Sequence, residues 1–126
     1  MTAYLVDTHV LLDWASSPDG LSPESRLVMA TGRNELFFSY ASLWELNIKI
    51  SLGKLSLPES TDVMLQKARC KSLPILVEHI ATIKDLPHHH RDPFDRMLIS
   101  QAINNRMTLI TRDREIRKYD VPTIAA

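Results

Sequence analysis

One cysteine in 126 residues, Cys70, leaves no partner for an intrachain disulfide and no thiolate set for a zinc site. A reducing, cytoplasmic setting fits that scarcity, and Cys70 itself reads as a small buried or helix-borne hydrophobe. Nor does the chain hold a run of about 18 apolar residues, so no membrane-spanning helix is expected. The N-terminus "MTAYLVDTHVLL" has no basic stretch ahead of its apolar one and meets Asp7 early, which argues against a secretory signal. An excess of charge is missing too. The 15 Lys and Arg balance the 15 Asp and Glu, and the neutral total gives no electrostatic footprint for nucleic acid. There is no internal repeat or linker, and the one biased segment is the triple histidine at 88–90.

What is present suffices for one core. At 44% hydrophobic residues the chain has the size of a single domain, 1–126, burying roughly two-thirds of its unfolded surface. "AYLVD" (3–7), "ELFFS" (35–39), "TLIT" (108–111) and "VPTI" (121–124) read as short strands. "THVLLDWA" follows the first strand with helical spacing, and Ser16 to Gly20 form a loop. In "SPESRLVMATG" Ser22 fits an N-cap, Pro23 the first helical position and Gly32 the stop. "SLWELNIKISLGKL" places Leu43, Leu46 and Ile50 at helical intervals up to Gly53, and Trp44 beside them defaults to the core, the alternative being a groove for a partner helix. A further helix is expected over 61–72, another within 73–86, and a third in "PFDRMLISQAINN". Strands alternating with helices, without hairpin signals, predict an α/β fold: a short-stranded parallel sheet between two helical layers.

In such sheets ligands bind beyond the carboxyl ends of the strands. Asp7 ends the first strand, Asp113 lies two residues past "TLIT", Glu45 sits in the first turns of the helix after "ELFFS", and Asp95 is in the first turn of its own helix. All four point at one rim. Close carboxylates repel one another unless a cation intervenes, and oxygen donors without thiolate select Mg²⁺ or Mn²⁺. One or two such ions suit attack by water on a phosphodiester. Setting four acids aside leaves 11 against 15 basic residues, and Arg91, Arg96 and Arg112 flank the rim as candidates for phosphate contact.

Each acid also has a local use. In "HRDPFDR" Asp92 fits an N-cap, Pro93 the first position and Asp95 the third, where a carboxylate favours the positive helix end. Glu45 fits a capping box with Ser42, Asp7 the start of a helix, and Asp113 a turn. His88, His89 and His90 read as solvated loop residues, the alternative being that one contacts RNA or caps the loop, because consecutive side chains diverge and three in a row cannot share one ion.

The stretches "YLVDTHVLLDW", "SLWELNIKISLGKL", "HHRDPFDRMLISQA" and "LITRDREIRKY" resemble, in order and spacing, the PIN-domain family, specifically the VapC-type toxins of bacterial type II toxin-antitoxin systems. The resemblance runs from about Tyr4 to Ile124. It implies an acidic quartet of Asp7, Glu45, Asp95 and Asp113 around Mg²⁺ or Mn²⁺, with Asp92 as the cap. It also implies endoribonuclease activity on an RNA substrate, a homodimer, and inhibition by a cognate antitoxin. Thr8, Ser39 and Thr111 lie beside the quartet, placed to orient its members. Two alternatives stand against this: a receiver-type phosphoacceptor domain, and a catalytically silent protein-binding module. The receiver reading wants an acidic pair after the first strand, where Thr8 and His9 stand, and a late strand-end lysine, where "TLITRD" offers arginine.

Overall fold

A computed structural model of the chain describes residues 2–126. Its strands are β1 (Ala3–Val6), β2 (Glu35–Ser39), β3 (Lys71–Leu73), β4 (Thr108–Thr111) and β5 (Thr123–Ala125). They form one all-parallel sheet in the order β3-β2-β1-β4-β5. The helices are α1 (Thr8–Ser16), α2 (Pro23–Ala30), α3 (Tyr40–Ser51), α4 (Thr61–Ala68), α5 (Val77–Ile83) and α6 (Pro93–Asn105). Among the described residues no helix is long and apolar enough to cross a membrane.

Successive strand residues face opposite sides of a sheet, and here both sides are covered. Leu5, Leu109 and Phe37 pack with Leu98, Ile99 and Ala102 of α6 and Ile83 of α5. Their neighbours Val6, Ile110 and Phe38 pack with Val10 and Leu11 of α1, Met29 of α2, Leu46 of α3 and Met64 of α4. Burial on both faces is why "AYLV" and "TLIT" read as continuous apolar runs. Each fully buried Leu or Ile contributes roughly 1.5–3 kcal/mol, which holds the three layers of this α/β fold together.

Local chemistry sets the helix ends. Ser22 caps α2 by accepting from Ser25 N at 3.1 Å, with Pro23 next. Ser39 caps α3, accepting from Ala41 N at 2.9 Å, so the helix starts at Tyr40, two residues before Ser42, and the expected Ser42–Glu45 capping box does not form. Gly53 stands just past α3 with φ 72°, a conformation free of strain for glycine. The helix expected over 61–72 stops at Ala68. Arg69 turns left-handed (φ 55°), and Lys71–Leu73 pair with Phe37–Ser39 as an edge strand.

The connectivity positions the site. From the central β1 the chain moves to β2 and β3 on one side, then returns to place β4 and β5 on the other. A crevice therefore opens beyond the carboxyl ends of β1 and β4, where the winding direction reverses.

Candidate functional site

Asp7 leaves β1 at this crevice and caps α1: Oδ1 accepts from Val10 N at 3.0 Å, and Oδ2 accepts from the Thr111 hydroxyl. One residue is both the cap and a wall of the crevice. Asp113 enters from the end of β4 and is fixed through Oδ1, which accepts from Glu115 N (2.7 Å) and Ile116 N (3.3 Å). Glu45 comes from the second turn of α3 and Asp95 from the first turn of α6, where Asp92 caps the helix by accepting from Phe94 N (2.8 Å) and Asp95 N (3.2 Å). All four acids line a single cavity of about 410 Å³, with His9, Lys49, His90, Asp92 and Arg112 completing its wall.

Two of the neighbouring hydroxyls touch these acids. Thr8 donates to Glu45 Oε1 at 2.9 Å and lies as close to the Ser42 hydroxyl, while Thr111 donates to Asp7. Ser39 is fully buried but serves as the α3 cap. Lys49, one turn along from Glu45, donates to its Oε2 at 2.9 Å.

The crowding shows in the charges. Burial, then the carboxylates of Asp92, Asp7 and Glu45, outweigh the opposing effect of His90 and push the Asp95 carboxyl up to about 7. Asp7 is raised, by burial above all. Burial also acts to raise Asp113, but the His90 hydrogen bond and the amides of Glu115 and Ile116 win and hold it below the ordinary carboxylate range.

Three expectations need correction. His90 is not a solvated loop residue: its Nε2 lies 2.9 Å from Oδ2 of both Asp95 and Asp113, and among the described residues these three offer ligand atoms within 4.8 Å of one another. Burial lowers its pKa, but Asp113, Asp95 and Asp92 together outweigh that and raise it. His88 and His89 are exposed, with His89 edge-on to Tyr119 at 5.1 Å. Arg96 is not a phosphate contact. It is only 8% exposed and spends its terminal nitrogens on the carbonyls of Ile83, Leu86, Pro87 and His90 and on the Tyr119 hydroxyl. Arg91 and Arg112 are exposed, Arg112 on the cavity wall and paired with Asp13. Trp44 also leaves the core: it is 61% exposed, with Phe94 edge-on at 5.2 Å.

Besides His90, residue-by-residue reasoning missed Lys49 and His9. The i,i+4 spacing of Glu45 and Lys49 was a usable signal; nothing local marks His9. Chemically, a rim of carboxylates with few compensating cations suits a hard divalent ion.

Comparison with known proteins bears on the fold and the family. Ribonuclease VapC22 of Mycobacterium tuberculosis is 28% identical over 125 residues, covering 97% of this chain and 95% of that protein. The solved structure of VapBC2 from Rickettsia felis bound to a promoter DNA fragment matches with a TM-score of 0.71 at 16% identity, covering 99% of both chains. DNA-bound VapBC from Salmonella typhimurium matches with a TM-score of 0.66 at 15% identity, covering 99% of this chain and 98% of that one. At such identities the structures speak for the fold alone. The PIN domain model matches residues 4–122, from ahead of Asp7 to beyond Asp113 and so across every element of the cavity, and the chain belongs to the PIN domain family.

Proposed function

We propose that this chain is a single-domain endoribonuclease, the toxin of a toxin-antitoxin pair, which hydrolyses RNA phosphodiesters with Mg²⁺ or Mn²⁺ held by Asp7, Glu45, Asp95 and Asp113. The observation that carries the reading is the convergence of four acids, from four separate segments, on one cavity at the reversal point of the sheet. Similarity to a protein named a ribonuclease supports it. The structural neighbours crystallised as VapBC complexes support a partner antitoxin.

The donor set fits a hard cation. The rise of Asp95 to about 7 comes first from burial and then from the carboxylates of Asp92, Asp7 and Glu45, which His90 does not offset. When bound, the ion supplies Lewis-acid stabilisation of the phosphoryl charge and a more acidic water. The chain's own residues set the geometry around it. Thr8 and Thr111 hold Glu45 and Asp7, backbone amides hold Asp113, and Arg112 and Arg91 offer N–H donors to phosphate oxygens from the surface. Exposed Tyr40, Trp44 and Ile48 on α3 and Val77 and Ile80 on α5 supply apolar surface for the antitoxin and for a second copy in a homodimer. The setting is the cytoplasm. The receiver-type and silent-module alternatives are not favoured, since the family matched is the PIN domain and the acidic rim is complete.

The deciding experiment is Asp7→Asn. Asparagine caps helices as well as aspartate does, so α1 and the unfolding midpoint are expected to persist while RNA cleavage is lost. Excess chelator is expected to silence the wild type. Cleavage that survived either treatment would refute the reading.

A further inference from the structure

The space between Asp95 and Asp113 is filled by the Nε2 of His90, 2.9 Å from Oδ2 of each. The other ring nitrogen, Nδ1, accepts the backbone N–H of Asp92 at 3.1 Å. An imidazole nitrogen that accepts carries no hydrogen, so the neutral ring keeps its hydrogen on Nε2. His90 therefore presents an N–H, not a lone pair, to this space: it donates to Asp113 Oδ2, with Asp95 Oδ2 at ion-pair distance. A second proton on Nδ1 would leave the hydrogen on Nε2 in place but would set N–H against the N–H of Asp92. His90, Asp95 and Asp113 have the spacing of a three-residue cation site, yet His90 presents its donor end. Ligation through Nε2 would require the hydrogen to move to Nδ1, setting N–H against the N–H of Asp92.

The ring is held in place from below. Arg96 donates to the carbonyls of Ile83 (3.0 Å), Pro87 (2.8 Å) and His90 (3.3 Å). The Tyr119 hydroxyl accepts from His90 N (2.9 Å) and Arg96 (3.1 Å) and donates to Pro87 O (2.7 Å). Both side chains are buried, at 8% and 5% exposure. Among the described residues no carboxylate pairs with Arg96, so its charge is spent on carbonyl dipoles that fix the backbone carrying His90.

We propose that His90 is a built-in occupant of the cation position: its Nε2–H, hydrogen-bonded to Asp113 and 2.9 Å from Asp95, fills the space between the two carboxylates, and a divalent ion enters only as that N–H leaves. This rests on reading the cavity as a metal centre. His90 thereby weakens cation binding, and Arg96 and Tyr119 are positioning residues that determine how strongly.

Calorimetry with Mn²⁺ at one fixed pH, on wild type, His90→Ala and Tyr119→Phe, tests it, alongside long-range ¹⁵N–¹H spectra of the histidine-labelled wild type titrated with Mg²⁺. Loading breaks a hydrogen bond to a charged acceptor, so His90→Ala is expected to bind Mn²⁺ roughly tenfold more tightly. Tyr119→Phe, which frees the His90 backbone, is expected to fall between. The spectra are expected to show the Nε2–H tautomer without metal and a displaced ring at Mg²⁺ saturation. Weaker or equal Mn²⁺ binding by His90→Ala would overturn the inference while leaving the metal centre standing, and so would an Nδ1–H tautomer in the metal-free protein. Absence of Mn²⁺ binding by wild type and variants alike would remove the metal centre and the inference with it. Should His90→Ala not fold, Tyr119→Phe and the spectra decide alone.

Discussion

Thr8 donates to Glu45 Oε1 at 2.9 Å across 37 positions of sequence, tying the first residue of α1 to the second turn of α3. The threonine is only 3% exposed, so Thr8→Val keeps its shape and removes the donor. The loss of a hydrogen bond to a charged acceptor is expected to cost about 1–2 kcal/mol of stability. Freed from its orienting partner, Glu45 is expected to bind cation roughly ten- to a hundredfold more weakly. Mn²⁺ calorimetry with Thr8→Ser as the restoring control checks this. Wild-type affinity in Thr8→Val would show that Glu45 needs no such hold.

Asp92 serves α6 and burdens Asp95 at once. Its carboxylate caps two amides, and its charge is the second largest cause of the rise of Asp95 to about 7. Asp92→Ala is expected to destabilise the fold by about 1 kcal/mol through the lost cap. Asp92→Asn keeps the cap without the charge, so it is expected to hold the unfolding midpoint and lower the Asp95 titration. Urea unfolding and carboxyl ¹³C titration separate the two effects, and an unmoved Asp95 in Asp92→Asn would show that burial and the carboxylates of Asp7 and Glu45 suffice.

The parts of this molecule that the sequence announces are those whose cause is local. β1, β2 and β4 are buried on both faces and read as apolar runs, and the Asp92-Pro93 cap of α6 needs only its own neighbours. Lys71–Leu73 escapes because two of its three residues are exposed at the sheet edge, and the turn before it uses Arg69 where a glycine would have marked a helix end. The acids were legible because strand ends and helix starts face the same rim of a parallel sheet. His90 was not, since its place depends on Arg96 and Tyr119, the latter 29 positions away. Arg96 was misplaced for the same reason: a positive charge in sequence does not reveal that backbone carbonyls will converge on it.

The two arginines that looked alike in sequence are expected to fail in different ways. Arg96→Met leaves the carbonyls of Leu86 and His90 without their donor and takes one of two donors from those of Ile83 and Pro87, and is expected to lower stability by about 3 kcal/mol. Arg112→Ala touches only an exposed pair with Asp13 and is expected to leave stability within about 0.5 kcal/mol. RNA affinity is expected to fall in Arg112→Ala, with the slope of its logarithm against log salt reduced by about 0.7 for one lost single-strand phosphate contact. Urea unfolding and binding at several salt concentrations check both; an unchanged slope would remove Arg112 from the RNA surface.

Asp95 is expected to cost the metal-free protein stability. Its carboxyl titrates near 3.8 in the unfolded chain and at about 7 in the folded one, so between those values the folded state keeps a proton that the unfolded state has released. The stability tied to that proton is present at low pH and is lost as pH rises from about 4 to about 7. His90, also raised, acts in the same sense: its contribution is complete below its ordinary 6.5 and is lost as pH rises through its folded value. Asp113, lowered, stabilises above 3.8 and loses that contribution only in stronger acid, outside this window. In chelator, Asp95→Asn is therefore expected to be more stable than wild type at pH 8, by roughly 1 kcal/mol net of the helix-dipole benefit that the carboxylate loses. It is also expected to vary less between pH 5 and pH 8. Adding Mn²⁺ is expected to reverse the order, because an ion bound only to the folded wild type stabilises it in proportion to the logarithm of its concentration. Urea midpoints at both pH values, with and without the ion, measure all of this. An Asp95→Asn protein less stable than wild type in chelator at pH 8 would mean that the acidic rim is already balanced and has no need of a cation.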